Sequence, residues 1–359
     1  MKKILVIQNK RIGDVLIASL IATNIKTVYP NSEIHYFVYD YTSGVIENHP
    51  CIDKIIRVQE KQLKKIPNLI KTTWNLSKEK YDIVFDPYAK FQSRFICLFS
   101  GAHIRIGFKK RLKDPLLPFY THNINFLKEK THICGKSIED RVHLVHSVFP
   151  LKTPTYNPKI YLTENEKKYN KLNPYKKPVI MFGVLGSTPQ KSMPSAYVIE
   201  LIDHLTSNYD ITILFNYAPH QKSEAQKIYN GCKNKNAIIF DIYEDSIRGF
   251  TALMSACHLL VSNEGGAVHI AKALNKPTFT IFSPYVLKSS WASFEDGVFH
   301  RSIHLLDEKP ELFSTNRNNL KKIEENPRYL YNKLTPSLIL DKLNPFLIHH
   351  LSNEKTKLS

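Results

Sequence analysis

Short apolar runs alternate along the first half of the chain with segments in which apolar residues recur at helical spacing. Runs of this length are typical of buried parallel strands. After the first run, Leu16, Leu20, Ile21 and Ile25 mark one face of a helix that ends before Pro30. The pattern predicts strands at residues 3–8, 33–39, 52–58, 81–85 and 104–108, and helices at residues 15–28 and 139–149.

A less regular amphipathic segment lies between the third and fourth predicted strands. Leu63, Ile66, Ile70 and Trp74 mark one helix face, and lysines occupy the other. Pro67 interrupts the pattern, so we expect either a weakened helix or two helical pieces.

Five prolines among polar residues at 150–178 predict a connection between two domains. The alternation then resumes, with strands predicted at residues 179–185, 211–216, 237–240, 258–262 and 278–282, and helices at 195–209, 221–232, 250–256 and 265–274. Such alternation predicts parallel sheets covered by helices. The fold class is therefore α/β, with two Rossmann-like domains whose ligands bind at the carboxyl ends of the strands, in a cleft between the domains.

The predicted domains are residues 1–165 and 166–335. An amphipathic stretch at 338–347 predicts a C-terminal helix within residues 336–359, packing back toward the N-terminal domain and ending in a frayed tail. A length of 359 residues and an apolar fraction of 43% suit two domains with substantial cores.

Several classes of protein are disfavoured by the motifs that the chain lacks. It has no D-x-D, no nucleotide-triphosphate loop and no G-x-G-x-x-G after the first strand, which argues against an NTPase or a standard dehydrogenase. Five scattered cysteines predict free thiols without a metal or redox role. The short apolar run at the start and the lack of an 18-residue apolar segment predict a cytoplasmic protein.

The loop after the first strand reads KRIGD at residues 10–14. Asp14 falls at or near the start of the next helix, where aspartate is a favoured N-cap. It could instead be a general base that takes a proton from a hydroxyl, provided that it stays ionised and exposed to the cleft. The positive end of the helix dipole would favour the ionised form.

Two further loops could bind phosphate groups. Gly265 and Gly266 precede a predicted helix, so their backbone N–H groups could cradle phosphate oxygens, although a simple tight turn would also use two glycines. His269 falls in the first turn of that helix and could be structural or face the phosphates. In the loop at 186–194, Ser187, Thr188 and Lys191 could clamp a diphosphate.

These segments together resemble glycosyltransferase family 9, the heptosyltransferases of lipopolysaccharide assembly. The resemblance rests on KILVIQNKRIGDVL at residues 3–16, on SNEGGAVHIAKALNKPTFTIFSP at 262–284, and on the loop at 186–194 with a lysine before a proline. It spans residues 1 to about 345.

The resemblance implies a GT-B fold in which the N-terminal half binds the acceptor and the C-terminal half binds an ADP-heptose-like donor. Inverting catalysis without a metal or cofactor is implied, with Asp14 as the base. Ser187, Thr188 and Lys191 would hold the donor diphosphate, and Glu264, Gly265, Gly266 and His269 would form the donor cradle. Arg11, Gly13, Lys109 and Arg111 are the candidates on the acceptor side.

The chain departs from the family pattern in ways that leave the donor sugar and base open. Glu264 replaces the usual aspartate, and the usual Ser-Gly-Pro is Gly-Gly-Ala at 265–267. An acidic residue that contacts the donor ribose has no clear counterpart near His220.

The charge suggests a polyanionic partner. Lysine and arginine exceed aspartate and glutamate by 50 to 32, a net charge of +18. Residues 104–136 are especially basic, which predicts contact with an acidic, phosphorylated glycolipid at the inner leaflet, unless they form only a solvated basic face. The alternatives are a transferase of the same fold that uses another nucleotide sugar, a nucleotide-sugar epimerase and, with no recognition motif in support, a non-enzymatic binder of polyanions such as nucleic acid.

Overall fold

The computed structural model describes residues 1–109, 119–169, 171–313 and 328–355. The chain divides into two compact units. The first comprises Met1–Thr163 and Ser246–Arg248, and the second comprises Glu164–Asp245 and Gly249–Ser359.

The first unit contains a parallel six-stranded sheet with the strand order β3-β2-β1-β4-β5-β6. Its strands are β1 (Lys3–Ile7), β2 (Glu33–Tyr39), β3 (Lys54–Val58), β4 (Ile83–Asp86), β5 (Ile104–Phe108) and β6 (His122–Ile124). Its helices are α1 (Ile12–Val28), α2 (Glu60–Leu63), α3 (Ile66–Ser77), α4 (Phe91–Leu98) and α5 (Lys136–His146). In β1 and β4 nearly every residue is buried, because helices cover both faces of the sheet.

The second unit repeats this architecture, with the order β12-β11-β10-β7-β8-β9. Its strands are β7 (Val179–Gly183), β8 (Thr212–Asn216), β9 (Ile238–Ile239), β10 (Leu259–Asn263), β11 (Thr278–Ile281) and β12 (His300–Ile303). The remaining helices are α6 (Glu164–Lys167), α7 (Ser195–Asn208), α8 (Lys222–Gly231), α9 (Ile247–Ala256), α10 (Gly266–Ala273), α11 (Lys288–Trp291), α12 (Leu305–Glu308), α13 (Tyr329–Lys333) and α14 (Pro336–Lys355).

Each sheet has the strand order of a Rossmann fold, 3-2-1-4-5-6, when its strands are numbered within the unit. The order reverses between β1 and β4 in the first unit and between β7 and β10 in the second. Because all strands are parallel, their carboxyl ends meet at one edge, and the loops after these four strands mark the expected ligand site of each unit.

The structure adds two strands that the sequence pattern did not predict, β6 and β12. Both are short edge strands with the polar sequences HNI and HRSI, so neither produces an apolar run. The expectation of two helical pieces around Pro67 is confirmed, since α2 ends at Leu63 and α3 begins at Ile66.

The predicted apolar face of this segment is not the buried one. Leu69, Thr73 and Leu76 point inward from α3, whereas Ile66, Ile70 and Trp74 are exposed. The i, i+4 spacing of the exposed residues gave the same signal as a core face would.

The C-terminal helix α14 packs in the second unit, which corrects the expectation that it packs toward the N-terminal domain. It contacts α7, β11 and β12. Ile339, Leu343, Phe346 and Leu347 are buried in the core of that unit. The helix therefore lies on the side of the second sheet that carries β11 and β12, next to α7.

Part of the predicted connection is anchored to the first unit. The Asn24 side chain on α1 donates to the Thr155 carbonyl at 2.8 Å and accepts from the Thr155 N–H at 2.8 Å. Because Asn24 is fully buried, this pair of hydrogen bonds fixes the chain before it enters the second unit.

Candidate functional site

In the first unit, Asp14 lies where β1 gives way to α1. Arg11 occupies the N-cap position of α1, and Asp14 is the third helical residue. Asp14 makes no capping contact among the described residues, so the N-cap interpretation of this residue is wrong. Its carboxylate still lies in the first turn, where the helix dipole stabilises negative charge.

Asp14 is held by two cations. Its Oδ1 atom lies 2.8 Å from the Lys10 ammonium and 3.5 Å from the Arg141 guanidinium. The residue is only 4% exposed, less than a base facing an open cleft was expected to be. Both ion pairs use Oδ1, and within the described part of the chain no hydrogen bond occupies Oδ2. The second oxygen therefore remains available for a substrate proton.

Arg141 is a site residue that the sequence analysis missed. It projects from α5, which packs directly on α1, and its Nη1 donates to the Ser137 carbonyl at 3.1 Å. Tyr36 lies below, donating its hydroxyl proton to the Val15 carbonyl at 2.9 Å. Burial raises the pKa of Tyr36 well above its ordinary value, so this hydroxyl stays a fixed donor. No local motif could reveal Arg141, because about 130 residues separate it from Asp14.

The neighbouring strand β4 ends in a second buried aspartate. Asp86 accepts from the Tyr120 hydroxyl at 2.6 Å and from the Ala89 N–H at 2.9 Å. Burial raises the pKa of its carboxyl, opposed by these hydrogen bonds. Asp86 therefore shapes the turn that carries Tyr88. Burial raises the pKa of Tyr88, and the charges of Glu60 and Asp14 add to the effect.

The acceptor-side candidates have different positions. Arg11 is exposed at the start of α1, and Gly13 is buried within its first turn. Lys109 is exposed and follows β5, two strands away from β1, which corresponds to about 10 Å along the same sheet edge. Arg111 lies outside the described residues.

In the second unit, the loop after β7 is a closed turn. The Gly186 N–H donates to the Ser192 hydroxyl at 2.9 Å, and this hydroxyl donates to the Thr188 carbonyl at 2.9 Å. A Cβ on Gly186 would lie 2.1 Å from the Lys191 carbonyl oxygen, so only glycine allows this approach. The turn exposes Ser187 and Thr188 and leaves Lys191 partly exposed.

Glu264 follows β10 and joins two neighbouring loops. Its Oε2 accepts from the Ser283 N–H at 2.9 Å, and its Oε1 lies 3.7 Å from the Lys191 ammonium. Burial raises the pKa of this carboxyl, while the Ser283 N–H and Lys191 oppose the effect. Glu264 thus orients Lys191 and the loop after β11.

Helix α10 begins at Gly266, with Gly265 as its N-cap. Gly265 is exposed, and no other atom lies within 4 Å of the point that a Cβ would occupy. The N-terminus of α10 therefore has open space beside Gly265, and the N–H groups of its first turn have no partner within the helix, as an anion cradle requires. His269 follows within the first turn and packs edge-on against Trp291 of α11, with ring centroids 6.2 Å apart.

Tyr331 of α13 is another residue that the sequence analysis missed. Its hydroxyl lies 2.9 Å from the Lys191 carbonyl, as donor, and 3.3 Å from Asn263 Oδ1. Burial raises the pKa of Tyr331. This fully buried side chain joins the loop after β7 to the end of β10. No sequence pattern indicates this connection, because Tyr331 is far from both segments in the chain.

An aromatic cluster lies beyond the ends of β8 and β9. Tyr217 stacks on Phe240 and on Tyr243, with ring centroids 5.4 and 5.6 Å apart. Burial raises the pKa of Tyr217, and the charge of Asp241 adds to the effect. Asp241 is an acidic side chain at the same sheet edge as His220, where the sequence offered no clear counterpart of the family's acidic residue.

The described residues contain neither a cluster of metal-ligating side chains nor a membrane-spanning helix. Within residues 1–109, 119–169, 171–313 and 328–355, no group of three histidine, cysteine, aspartate or glutamate side chains could hold a metal ion. In the same part of the chain, no helix is both long and apolar enough to cross a membrane.

Comparison with known proteins gives a family match and several relatives. The family profile of glycosyltransferase family 9 (heptosyltransferase) matches residues 70–290, more than half of the chain. The match includes the loops that carry Lys191 and Glu264 but not the loop that carries Asp14. The chain is 24% identical to lipopolysaccharide heptosyltransferase 1 of Campylobacter coli, covering 78% of this chain and 83% of the relative. It is 22% identical to lipopolysaccharide heptosyltransferase 2 of Escherichia coli, covering 79% of this chain and 83% of the relative.

Solved structures share the fold. A family 9 glycosyltransferase of Veillonella parvula superposes with a TM-score of 0.79 at 16% identity, covering 97% of each chain. The ADP-heptose lipopolysaccharide heptosyltransferase II of E. coli gives a TM-score of 0.70 at 18% identity, covering 97% of this chain and 99% of the other. The E. coli heptosyltransferase WaaC with ADP-2-deoxy-2-fluoro heptose gives a TM-score of 0.66 at 17% identity, covering 84% of this chain and 92% of the other. The expected α/β fold of GT-B type, with two parallel sheets, is confirmed.

Proposed function

Because the chain belongs to glycosyltransferase family 9 and is a glycosyltransferase, we propose that it transfers a heptose from ADP-heptose to the core of lipopolysaccharide. The two curated relatives are heptosyltransferases of lipopolysaccharide, and the solved WaaC structure contains an ADP-heptose analogue. The observation that carries the proposal is the pair of loops after β7 and β10, which present Lys191 beside the open N-terminus of α10.

The donor half of the reaction belongs to the second unit. Lys191, the hydroxyls of Ser187 and Thr188, and the N–H groups that follow Gly265 and Gly266 would bind the diphosphate and stabilise the charge that develops as ADP leaves. Removing one such preorganised donor typically costs about 3 kcal/mol in the transition state. Glu264 would hold Lys191 in place, and His269 would border the cradle.

The acceptor half belongs to the first unit. Asp14 would take the proton of the acceptor hydroxyl on Oδ2, while Lys10 and Arg141 hold Oδ1. The hydroxyl oxygen would attack the anomeric carbon as the bond to the diphosphate breaks, and this single displacement inverts the configuration. Arg11, Gly13, Lys109 and Arg111 would contact the acidic acceptor.

The proposed reaction requires no metal. Lys191 and the first turn of α10 supply the positive charge that a divalent cation supplies elsewhere. The acceptor is an acidic glycolipid, so the enzyme would act in the cytoplasm on the inner face of the bacterial inner membrane.

A thermal-shift panel of nucleoside diphosphates tests the donor assignment. ADP at saturating concentration should raise the melting temperature more than UDP, GDP or CDP, because only a bound ligand stabilises the native state. EDTA should leave the shift unchanged. A larger shift with another nucleotide would redirect the donor, and a shift abolished by EDTA would contradict metal independence.

A further inference from the structure

An exposed apolar surface covers two neighbouring helices of the first unit. On α3, Ile66, Ile70 and Trp74 are 65%, 52% and 59% exposed, and on α4 and its C-cap, Phe91 and Phe99 are 63% and 53% exposed. Phe95 lies between the two phenylalanines, with ring centroids 6.3 and 4.7 Å from theirs. The five exposed residues together present on the order of 500 Å² of mostly apolar side chain, as much as the largest patch on a typical soluble protein.

The exposed apolar residues of α3 and those of α4 form one surface. Leu69, Thr73 and Leu76 of α3 face the sheet, and Thr72 and Asn75 line a 490 Å³ cavity on the flank toward β3. At 100° per residue, Ile66, Ile70 and Trp74 therefore lie on the opposite flank, the one turned toward α4. Since α3 and α4 pack directly on each other, the exposed residues of the two helices are adjacent. We call these residues, with Phe95, the α3–α4 surface.

Lysines surround the α3–α4 surface. Residues 61–78 contain Lys61, Lys64, Lys65, Lys71 and Lys78, all exposed, and no acidic residue. Lys64 pairs with Glu60, just before this range, at 2.7 Å. The Lys78 ammonium lies 3.0 Å from the centre of the Trp74 ring, and the exposed Lys90 precedes Phe91. Exposed aromatic rings bordered by lysines are typical of segments that lie in the interface of an anionic membrane.

We infer that the α3–α4 surface docks the enzyme on an anionic bilayer, with Trp74 and the phenylalanines in the headgroup layer and the lysines on lipid phosphates. The inference rests on the proposed function, because it supplies the face by which that enzyme would reach a lipid-borne acceptor. It places membrane contact on a different surface from the basic segment at 104–136. There, the Arg105 side chain binds the Phe119 and Ala102 carbonyls, and Lys136 pairs with Asp140.

Charge favours a bilayer over a second copy of the chain as the occupant. In a symmetric dimer each α3–α4 surface would face its own copy, so lysines would meet lysines. An anionic lipid surface instead offers phosphates to every lysine, each of which adds attraction at low salt.

Vesicle flotation tests the inference. The full-length protein should float with vesicles that contain 30% phosphatidylglycerol, much less with pure phosphatidylcholine vesicles, and less at high salt. The triple variant Ile70→Ser/Trp74→Ser/Phe91→Ser should bind at least tenfold more weakly. Its matched control, Leu287→Ser/Val298→Ser/Ile348→Ser, removes equally exposed apolar residues of the second unit and should stay within twofold of the wild type.

The charge contribution has its own pair of variants. Lys65→Gln/Lys71→Gln should weaken vesicle binding severalfold, whereas Lys233→Gln/Lys235→Gln, which removes two exposed lysines of the second unit, should not. Equal loss in both pairs would mean that net charge, not this surface, drives binding and would overturn the inference.

Trp74 itself reports insertion. The chain has two tryptophans, so Trp291→Phe leaves Trp74 as the single emitter. Anionic vesicles should shift its emission to the blue, and lipids brominated on their acyl chains should quench it. Unchanged emission from vesicle-bound protein would overturn the inference. So would a wild-type dimer that the triple variant converts to monomer, since a second copy would then occupy the surface.

Activity separates failure of docking from failure of the proposed function. The triple variant should keep near wild-type transfer to a delipidated, soluble acceptor and lose at least fivefold with the same acceptor in vesicles. Equal activity of variant and wild type on both acceptors would refute docking and leave the transferase intact. No transfer by either protein to either acceptor would refute the proposed function, while flotation would still decide the docking question.

Discussion

Asp14 shows how a single residue can be located by a motif while its contacts remain hidden. The sequence placed it correctly near the start of the first helix but left open whether it caps the helix. A helix capped by Asp14 would start at residue 15, later than the observed start at Ile12 but within the usual uncertainty of a predicted boundary. The structure decides against the cap, because Arg11 occupies that position. It also adds Arg141, which no local pattern could associate with Asp14.

Replacing Asp14 by asparagine should abolish transfer while leaving ADP affinity within a few-fold. The amide keeps the shape of the side chain but cannot accept the acceptor proton, and loss of a general base typically lowers kcat by about 10²–10⁴-fold. Steady-state kinetics and an ADP titration measure the two effects separately.

Asp82→Asn is the matched control for this change. Asp82 precedes β4 at the amino edge of the same sheet, where it accepts from the Lys3 N–H at 2.7 Å. This variant should retain activity within about twofold after correction for its folded fraction. If Asp14→Asn is as active as Asp82→Asn, Asp14 is not the base.

At the scale of elements, the apolar pattern identified the long strands and helices but not the connections that shape the site. The edge strands β6 and β12 were not predicted from the sequence because they are three and four residues long and partly polar. The segment that contains Tyr331 gave no signal, since its role depends on a hydrogen bond to a loop 140 residues earlier. Tertiary hydrogen bonds of this kind have no local periodicity.

Tyr331→Phe should loosen the loop that carries Lys191. Loss of the hydroxyl leaves the buried Lys191 carbonyl and Asn263 amide oxygen without this donor, which costs about 1–3 kcal/mol. We expect a lower melting temperature and a KM for the donor at least several-fold higher, with a smaller change in KM for the acceptor.

Tyr209→Phe serves as the comparison for Tyr331→Phe. Its hydroxyl donates to Asn344 Oδ1 at 3.0 Å, and the residue lies at the C-terminal end of α7, the end opposite to the loop at 186–194. The variant should leave the donor KM unchanged. Equal effects of the two changes on KM would show that Tyr331 acts only through overall stability.

At the scale of the whole molecule, the order of elements was the best-predicted property. Ten of the strands follow from apolar runs, and their alternation with helices implies parallel sheets because each crossover must return to the same sheet edge. The sequence placed the C-terminal helix against the wrong unit, because an amphipathic face alone does not specify which exposed core it covers. It also could not tell the buried from the exposed side of α3, since both carry large apolar residues.

Stability should fall between pH 7 and pH 5 because each unit contains a buried histidine. Burial lowers the pKa of His49 to about 4 and of His300 to about 4, both below the ordinary value of 6.5. The unfolded chain therefore binds protons at pH 5 that the native state excludes. Stability is lost as the pH falls below 6.5, by about 2 kcal/mol per histidine at pH 5.

Chemical denaturation at the two pH values measures this loss. His49→Gln/His300→Gln should show a smaller decrease than the wild type, and the exposed pair His103→Gln/His122→Gln should match the wild type. An identical pH dependence in all three proteins would mean that other groups control the acid response.

The most direct measurement of the central claim is transfer itself. Purified protein, ADP-heptose and a lipopolysaccharide acceptor that lacks outer heptose should yield an acceptor heavier by one heptose, with release of ADP, by mass spectrometry. The yield should be unchanged by EDTA and absent with Asp14→Asn. Release of ADP without a heavier acceptor, or full transfer by Asp14→Asn, would contradict the account.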